Sequence, residues 1–369
     1  MDHISLASGS SYFSSPDAAT DAAIAALQAG KTQYGPTEGT WELRQAISDK
    51  YSTPHFPVSP EQVLVTPGTK QALFNLFSVL LRQGDEVVVP TPAWFGFHEL
   101  MKYSSGMLVP LETSLSEEYA ITPEALRKTL NNRSRILLLT NPGNPTGRVY
   151  SKAELEAILE VVNEYPNLYL ISDEIYDHIT YSGSFTPIFS CEGAPRERTI
   201  LLNGFSKSFA MSGWRLGYMV GPEACIQKST AFQGSTLSGV SVFLQEAALA
   251  TLQARETALA PMLDVLQDNR QLMKQALDGM AEVRYYLPDG AYYFFPDLSH
   301  YLTSDTATGK EPSTAEGLCR YLRQHFNLDL VPGDYFGGAG HVRMSFAVER
   351  PRLAQALQRL AAGLKLLRA

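Results

Sequence analysis

The stretch Arg135-Ile136-Leu137-Leu138-Leu139-Thr140-Asn141-Pro142-Gly143-Asn144-Pro145-Thr146-Gly147 joins a short apolar strand to a loop that two prolines and two glycines make rigid. Four other apolar runs have the same form, a short strand bounded by turn residues, at residues 63–65, 86–89, 168–171 and 199–202. Amphipathic segments at residues 70–81 and 152–162 lie between them. This alternation predicts an α/β fold, with a mainly parallel sheet that helices cover on both faces.

A second, smaller domain is expected after the sheet, because a chain of 369 residues exceeds the size at which a single core keeps growing. Residues 240–277 have a long helical pattern that only Pro261 interrupts. Strand-like segments follow at residues 291–295 and 342–346, before a closing helix from Arg352. The predicted division is a large domain at residues 30–260 and a small α+β domain at residues 1–29 and 261–369.

Composition excludes several classes of function. A net charge of −8 gives no electrostatic footprint for nucleic acid or an anionic membrane, and no apolar run reaches membrane-spanning length. The three cysteines, Cys191, Cys225 and Cys319, lie far apart and lack metal-ligand spacing, which favours a reducing compartment. No basic region followed by an apolar run opens the chain. We therefore expect a cytoplasmic protein that acts on small molecules without a metal.

Two turns that follow predicted strands are candidate binding segments. In Thr66-Pro67-Gly68-Thr69-Lys70-Gln71-Ala72 the turn opens a helix, whose free N–H groups and dipole form an anion site. Gly68 lets the backbone approach a ligand closely, and the hydroxyl of Thr69 is a further donor. The alternative is an ordinary strand-to-helix turn. In the rigid loop after Thr140, Asn144 is the amide that we expect to point into a site, because ligands of parallel sheets bind beyond the carboxyl ends of strands.

The segment Leu170-Ile171-Ser172-Asp173-Glu174-Ile175-Tyr176 ends a buried strand with an acid. An unpaired carboxylate is costly there, so Asp173 needs a cationic or protonated partner. The protonated nitrogen of a pyridine ring is such a partner. Tyr176, three residues later, is a candidate to hydrogen-bond a phenolic oxygen on that ring. The alternative for Asp173 is the N-cap of a helix.

The segment Gly204-Phe205-Ser206-Lys207-Ser208-Phe209-Ala210-Met211-Ser212-Gly213-Trp214-Arg215 sets one lysine among small and hydroxyl residues, with an arginine eight positions later. A lysine held away from bulk water is a usable amine nucleophile, and an arginine grips a phosphate with two parallel hydrogen bonds. A Schiff-base cofactor with a phosphate tail, pyridoxal 5'-phosphate (PLP), needs both groups. The alternative is a solvated lysine in a turn.

Two further side chains have both a functional and a structural interpretation. Trp94 follows a buried strand, where its face can stack on a planar cofactor or pack in the core. Arg343 lies in the apolar segment Gly340-His341-Val342-Arg343-Met344-Ser345-Phe346 and must find an anion. A substrate carboxylate fits its bidentate fork, and an internal salt bridge is the alternative.

In this order, these segments resemble the class I aminotransferase family of fold-type I PLP enzymes, in the subgroup of thermophilic bacterial aspartate aminotransferases. The resemblance runs from about Leu6 to the C-terminus. It implies a large domain with a seven-stranded, mainly parallel sheet, a smaller α+β domain, and transfer of an amino group from an L-amino acid to a 2-oxo acid. It also implies an obligate homodimer with shared active sites.

The resemblance also implies a role for each candidate residue. Lys207 joins the cofactor covalently, Asp173 pairs with the pyridine nitrogen, and Tyr176 and Asn144 hold the ring oxygen. The remaining cofactor contacts are Trp94 on the ring, with Gly68, Thr69, the backbone of Lys70, Ser206 and Arg215 on the phosphate. Substrate contacts are Arg343 on the α-carboxylate, assisted by Gly9 and Asn144, and Lys70 on a distal carboxylate. Tyr34 reaches the phosphate of the neighbouring subunit.

The chain departs from the family pattern at two places. Gly204 stands where many relatives have a phosphate-binding serine, which leaves that contact to Ser206. The chain also begins close to Gly9, without the N-terminal arm that partly covers the site in relatives and often selects the substrate.

The implied substrates are aspartate or glutamate as donor and 2-oxoglutarate or oxaloacetate as acceptor. Aromatic substrates are an alternative, because Phe95, Phe97, Tyr292 and Tyr293 are candidates for an apolar pocket. A β-eliminating C–S lyase, which shares nearly all these residues, is a second alternative. A PLP-binding regulator is a remote third, disfavoured by the acidic chain.

Overall fold

A computed structural model describes residues 2–181, 183, 185–302 and 312–367 of the chain. Its strands, in chain order, are β1 (Ile4–Ser5), β2 (Val63–Thr66), β3 (Glu86–Thr91), β4 (Met107–Glu112), β5 (Ser134–Thr140), β6 (Tyr169–Asp173), β7 (Thr199–Gly204), β8 (Gly217–Val220), β9 (Tyr293–Phe294), β10 (Leu328–Asp329), β11 (Val331–Pro332) and β12 (Val342–Ser345). Its helices are α1 (Asp17–Gln28), α2 (Trp41–Tyr51), α3 (Thr69–Leu80), α4 (Gly96–Met101), α5 (Pro123–Thr129), α6 (Lys152–Asn163), α7 (Glu223–Thr236), α8 (Val242–Gln253), α9 (Arg255–Asp278), α10 (Ala315–Phe326) and α11 (Arg350–Leu366).

The large sheet has seven strands in the order β2-β8-β7-β6-β5-β3-β4. Only β8 runs antiparallel to its neighbours, β2 and β7, and all other pairs are parallel. The predicted α/β fold with a mainly parallel seven-stranded sheet is therefore confirmed. Because β2, β5, β6 and β7 run in the same direction, the polar segments that follow them meet at one edge of the sheet.

The central strands are apolar along their length because both of their faces are covered. In β5, Ile136 and Leu138 belong to the hydrophobic cluster on one face, while Leu137 and Leu139 belong to the cluster on the other. Helix α6 covers the second face and begins with a capping box between Ser151 and Glu154. Among the residues that the structure describes, no helix is long and apolar enough to cross a membrane.

Two element predictions in the C-terminal part are wrong in detail. Residues 240–277 form two helices, α8 and α9, with the break at Ala254, and Pro261 lies within α9. Pro261 is exposed, so a carbonyl that lacks its helical N–H donor there can bond to water. The strand expected at residues 291–295 is reduced to β9, because Ala291 has a φ of 55°, outside the extended region.

The N-terminal segment returns to the C-terminal part of the chain. Strand β1 pairs in parallel with β10, and β9, β11 and β12 form a separate three-stranded sheet. The pairing of β1 agrees with grouping residues 1–29 with residues 261–369, whereas α1 packs against α8 of the other group. The division into two domains at the boundaries given above stays a prediction.

Strands β7 and β8 approach so closely at Gly204 that a side chain there has no space. A Cβ on Gly204 would lie 2.7 Å from the carbonyl oxygen of Leu216 and 2.8 Å from Cα of Gly217. Both neighbours are backbone atoms inside the sheet and cannot rotate away. A serine at position 204 would therefore clash with backbone atoms of Leu216 and Gly217.

We expect Gly204→Ser to lower the free energy of unfolding by about 1–3 kcal/mol, the usual cost of overpacking a core. The measurement is urea unfolding followed by circular dichroism. The matched control is Gly213→Ser on the same segment, because a Cβ at Gly213 meets no atom within 4 Å. Equal stability of both variants and the wild type would contradict the packing argument.

Candidate active site

A cavity of about 810 Å³ lies at the carboxyl edge of the large sheet, against the small sheet of β9, β11 and β12. Strands β5 and β6 contribute their last residues, Thr140 and Asp173, to its wall. The candidate residues that line it are Gly9, Thr69, Trp94, Asn144, Asp173, Tyr176, Lys207 and Arg343. Eight candidate residues from seven segments of the sequence, with Asp173 and Tyr176 in the same one, are therefore brought to one cavity.

Lys207 lies in the turn after β7, and its amine points across the cavity to the N-terminal segment. Its Nζ donates a hydrogen bond to the carbonyl oxygen of Gly9 at 2.5 Å. Tyr292 and Tyr293 donate to the same oxygen from 2.9 and 3.3 Å. The carbonyl of Gly9 is thus the local acceptor that orients the amine.

Asp173 is buried at the end of β6, where its Oδ1 accepts a hydrogen bond from the backbone N–H of Ile175 at 3.3 Å. Burial raises the pKa of Asp173 to about 7, opposed by that hydrogen bond and by the positive charge of Lys207. Residues 174–178 form a turn and not a helix, so the N-cap alternative is wrong. The carboxyl group therefore retains its need for a protonated or cationic partner in the cavity.

Tyr176 is held by an aromatic group above Asp173. Its hydroxyl lies 3.0 Å from that of Tyr293, and its ring packs edge-on against Tyr292 and Tyr293. Burial raises the pKa of Tyr176 well above its ordinary value, with the neighbouring tyrosines adding to the effect. The hydroxyl stays protonated, and it donates to the hydroxyl of Tyr293, whose own proton goes to the carbonyl of Gly9.

Arg343 is buried in β12 with its guanidinium between two aromatic rings. The rings of Tyr293 and Phe336 have centroids 4.5 and 4.9 Å from its Cζ. Nη1 donates to the amide oxygen of Asn144 at 3.2 Å, and Nη2 donates to the carbonyl of Ala7 at 2.9 Å. In the part of the chain that the structure describes, Nε has no partner and no carboxylate forms an ion pair with Arg343. The internal salt-bridge alternative is therefore wrong.

The turn before α3 is built as an anion cradle. Gly68 has a φ of 86°, and α3 begins at Thr69 without a side-chain cap, so the N–H groups of Thr69 and Lys70 keep their donor capacity among the described residues. The guanidinium of Arg215 lies beside this turn: a Cβ on Gly68 would be 2.7 Å from its Nη2. Arg215 is held by donation to the carbonyl of Ser212 at 2.8 Å.

Trp94 forms one side wall of the cavity, next to this cradle. Its ring is only partly buried and packs edge-on against Phe97 at a centroid distance of 5.3 Å. Nζ of Lys70 lies 5.1 Å from the ring centroid on the cradle side. Trp94 therefore both packs against the core and presents a surface to the cavity, so its two sequence interpretations are compatible.

Three other candidates, Gly68, Arg215 and Lys70, border the cavity without lining it, whereas two lie apart. Ser206 is half-buried and outside the cavity wall, and Tyr34 is 92% exposed. The structure also adds wall residues that sequence reasoning missed, including His98 and Glu99 of α4 and Asp334 before β12. The spacing of four residues between Trp94 and His98 is the sequence pattern that could have indicated His98.

These residues fit PLP on structural grounds. Asp173 supplies a buried carboxyl, with no ion pair among the described residues, for a ring nitrogen. Gly68 lets the guanidinium of Arg215 lie against the start of α3, where the guanidinium and the N–H groups of the helix can donate to a phosphate. Trp94 offers an aromatic surface for the ring between them. Lys207 supplies the amine that PLP requires.

The chain matches the family model of aminotransferase class I and II over residues 1–360, and it belongs to that family. It is 37% identical to an aspartate aminotransferase of Pinus pinaster, with 99% of this chain and 75% of that protein covered. It is 35% identical to an aspartate/prephenate aminotransferase of Thermus thermophilus, covering 98% and 91% of the two chains. A solved aspartate aminotransferase from Thermus thermophilus with maleate superimposes with a TM-score of 0.91 at 33% identity, covering 98% and 92%.

The molecule is accordingly a PLP-dependent aminotransferase of fold type I. It transfers amino groups between amino acids and 2-oxo acids. Within this class it is similar to the subgroup of bacterial aspartate/prephenate aminotransferases, as the sequence resemblance implies.

The acid that follows Asp173 makes folding stability depend on pH. Glu174 is fully buried, and its Oε1 accepts hydrogen bonds from Ser172 and from the backbone of Ile188. Burial raises the pKa of Glu174 from 4.5 to about 8, opposed by the hydrogen bond from Ile188. The folded protein therefore holds a proton that the unfolded chain releases, and the free energy of unfolding falls as pH rises through this window.

We expect Glu174→Gln to flatten the fall in stability between about pH 7 and pH 8 in cofactor-free protein, because the amide does not titrate. At lower pH the titration of Asp173, whose pKa is about 7, still makes the free energy of unfolding fall with rising pH in both wild type and variant. Urea unfolding at pH 5, 6, 7 and 8 measures this, with exposed Glu160→Gln of α6 as the control. An unchanged slope above pH 7 in Glu174→Gln would show that Glu174 is not the titrating group.

Proposed function

We propose that this enzyme exchanges amino groups between a dicarboxylic amino acid, aspartate or glutamate, and a 2-oxo acid such as 2-oxoglutarate or oxaloacetate. The observation that carries the proposal is Arg343, a buried arginine in the cavity wall that has no carboxylate partner among the described residues. Its Nε is without an acceptor there and is available for the α-carboxylate of a substrate.

In this proposal Lys207 is the residue that moves the proton. When bound, PLP supplies an electron-poor ring that takes up the charge left when the α-proton leaves the substrate. The Nζ of Lys207 would hold the cofactor and would take the proton from the α-carbon of the substrate. The carbonyl of Gly9, 2.5 Å from Nζ, keeps the amine directed across the cavity. Asp173 holds a proton between its carboxyl and the ring nitrogen.

The remaining candidates hold the cofactor in place. Tyr176 and Asn144 hydrogen-bond the ring oxygen, and Trp94 covers a face of the ring. Thr69, the backbone of Lys70 and the side chain of Arg215 would bind the phosphate beside Gly68, whose own N–H donates to Thr66. Ser206 would be the local hydroxyl in place of the serine that Gly204 excludes. Gly9 and Asn144 assist Arg343 at the α-carboxylate.

Lys70 is the residue that we assign to the distal carboxylate. Its Nζ lies beside the Trp94 wall at 5.1 Å from the ring centroid and has no ion pair among the described residues. The relatives reported above are named for aspartate and prephenate, and the Thermus structure contains maleate, a dicarboxylate. Those names support a cavity that accepts a second carboxylate. They give no support to the C–S lyase alternative.

An amino acid with an aromatic side chain is the second candidate substrate. Phe95, Phe97 and Tyr293 line the cavity, which supports a surface for a ring. Tyr292, the fourth aromatic candidate, donates to the Gly9 carbonyl and lies outside the cavity wall. With the amine of Lys70 beside it and these aromatic rings in its wall, the cavity suits both acidic and aromatic amino acids.

We expect Lys70→Met to lower kcat/KM for aspartate by about 10- to 100-fold relative to that for phenylalanine, the usual worth of a hydrogen bond to a charged group. Pre-steady-state half-reactions with each amino acid, followed by cofactor absorbance, measure the ratio. The control is Lys128→Met, an exposed lysine of α5 outside the cavity. An unchanged ratio would remove Lys70 from substrate selection.

We further propose a homodimer in which Tyr34 completes the phosphate site of the neighbouring subunit. Tyr34 is 92% exposed and the nearby Trp41 is 51% exposed, so this face carries two large side chains in solvent. Such exposure supports a partner surface. The three cysteines are buried and free, which supports the reducing, cytoplasmic location that we also propose.

Co-expression of a Lys207→Ala subunit with a Tyr34→Ala subunit tests this arrangement. Each variant alone is expected to lose most of its turnover, and Lys207→Ala also its borohydride-sensitive absorption. A mixed dimer holds one site with both native residues, so random pairing restores about a quarter of wild-type activity. Sedimentation confirms the dimer, and a mixture no more active than its parents would refute the shared site.

A further inference from the structure

A buried polar cluster lies next to the cavity without lining it. Nζ of Lys50, near the end of α2, donates to Oδ2 of Asp177 at 2.7 Å, with only 13% and 5% of the two side chains exposed. A buried ion pair seldom stabilises a fold more than apolar side chains of the same size would. This pair therefore calls for a role other than stability.

The position of Asp177 in the chain indicates that role. Asp177 follows Tyr176, and Ser208 follows Lys207. Oγ of Ser208 lies 3.3 Å from Oδ1 of Asp177 and 3.4 Å from the carbonyl of Ile175, which it can reach as donor. One carboxylate thus joins the turn after β6 to the turn after β7, the two turns that carry Tyr176 and Lys207.

Lys50 anchors this carboxylate from a third element. Its neighbour in α2, Tyr51, accepts a hydrogen bond from Nδ2 of Asn203 in β7 at 2.9 Å, and its hydroxyl lies 2.9 Å from that of Tyr218 in β8. Helix α2 is therefore hydrogen-bonded to the strands on either side of the Lys207 segment. These bonds fix α2, and with it the Lys50 amine that holds Asp177.

The pair stays ionised in spite of its burial. Burial works to raise the pKa of Asp177, but the charge of Lys50 and the hydrogen bond from Lys50 outweigh it and hold that pKa below its ordinary value. Burial lowers the pKa of His178, whose Nε2 lies 3.6 Å from the carboxylate, so this ring is neutral at pH 7 and Lys50 is the cation that acts on Asp177 there. Burial instead raises the pKa of Asp173 and of Glu174, which form no ion pair among the described residues. A charged acceptor binds the Ser208 hydroxyl more strongly than a neutral one.

We propose that Asp177, anchored by Lys50, is a positioning residue that holds Lys207 through Ser208 at the angle needed for proton transfer. The proposal rests on the proposed function of Lys207. A small error in the position of a reacting amine lowers the rate of proton transfer far more than it lowers substrate binding. Lys50, Asp177 and Ser208 neither line the cavity nor belong to the Gly68–Arg215 cradle. We therefore expect the binding of substrate and cofactor to depend on them little.

The first test is Ser208→Ala, which cuts the link and leaves the ion pair in place. We expect the single-turnover rate with aspartate to fall about tenfold, with the dissociation constants of aspartate and PLP unchanged. The matched control is Ser48→Ala, a buried serine of α2 whose hydroxyl donates to the carbonyl of Gln45 in the same helix. A rate equal to that of the control would overturn the proposal.

The second test removes both charges. Lys50→Met alone leaves an unpaired buried carboxylate and is expected to destabilise the fold, whereas Lys50→Met with Asp177→Leu keeps the melting temperature near the wild-type value. This double variant is expected to bind PLP and aspartate normally and to turn over about tenfold more slowly. Wild-type turnover in the stable double variant would refute a positioning role.

Lys207→Ala, measured alongside, separates the two levels of inference. If it retains turnover, the proposed function of Lys207 fails, and the positioning proposal fails with it. If it is inactive while Ser208→Ala and the double variant react at the wild-type rate, only the positioning proposal fails. A slow double variant with an inactive Lys207→Ala supports both.

Discussion

The burial of the Asp173 carboxyl group is the constraint on which the rest of the site depends. The end of β6 leaves this group without bulk water and with one backbone donor, so it is satisfied only by a proton or a cation in the cavity. A protonated ring nitrogen meets that need. Once the ring is placed there, the Gly68–Arg215 cradle, the Trp94 wall and the Lys207 amine have defined places around it.

Much of this arrangement follows from local sequence signals. The apolar runs that end at Thr140 and Asp173 are uninterrupted because both faces of the sheet are covered, and this pattern predicted the strands correctly. Parallel strands place their carboxyl ends together, so Asn144, Asp173 and Lys207 meet although they lie on separate segments. The roles of these residues rest on the family resemblance and stay proposals.

What sequence reasoning missed depends on contacts between distant segments. The ion pair of Lys50 and Asp177 joins residues 127 positions apart, and the bond from Arg343 to Ala7 spans 336. Neither periodicity nor turn chemistry contains such information. The left-handed backbone of Ala291 is a similar case, since alanine carries no local preference for that conformation. Tertiary packing decided these features.

The hydrogen bond from Arg343 to the Ala7 carbonyl has a consequence for selectivity. The N-terminal backbone accepts hydrogen bonds from both Arg343 and Lys207, through the carbonyls of Ala7 and Gly9. Under the proposed function, the Ala7 carbonyl therefore competes with the α-carboxylate of a substrate for Arg343. An anionic carboxylate displaces a neutral carbonyl readily, because it is the stronger acceptor. A simple amine has no carboxylate to offer Arg343, so we expect this contact to favour amino acids over simple amines.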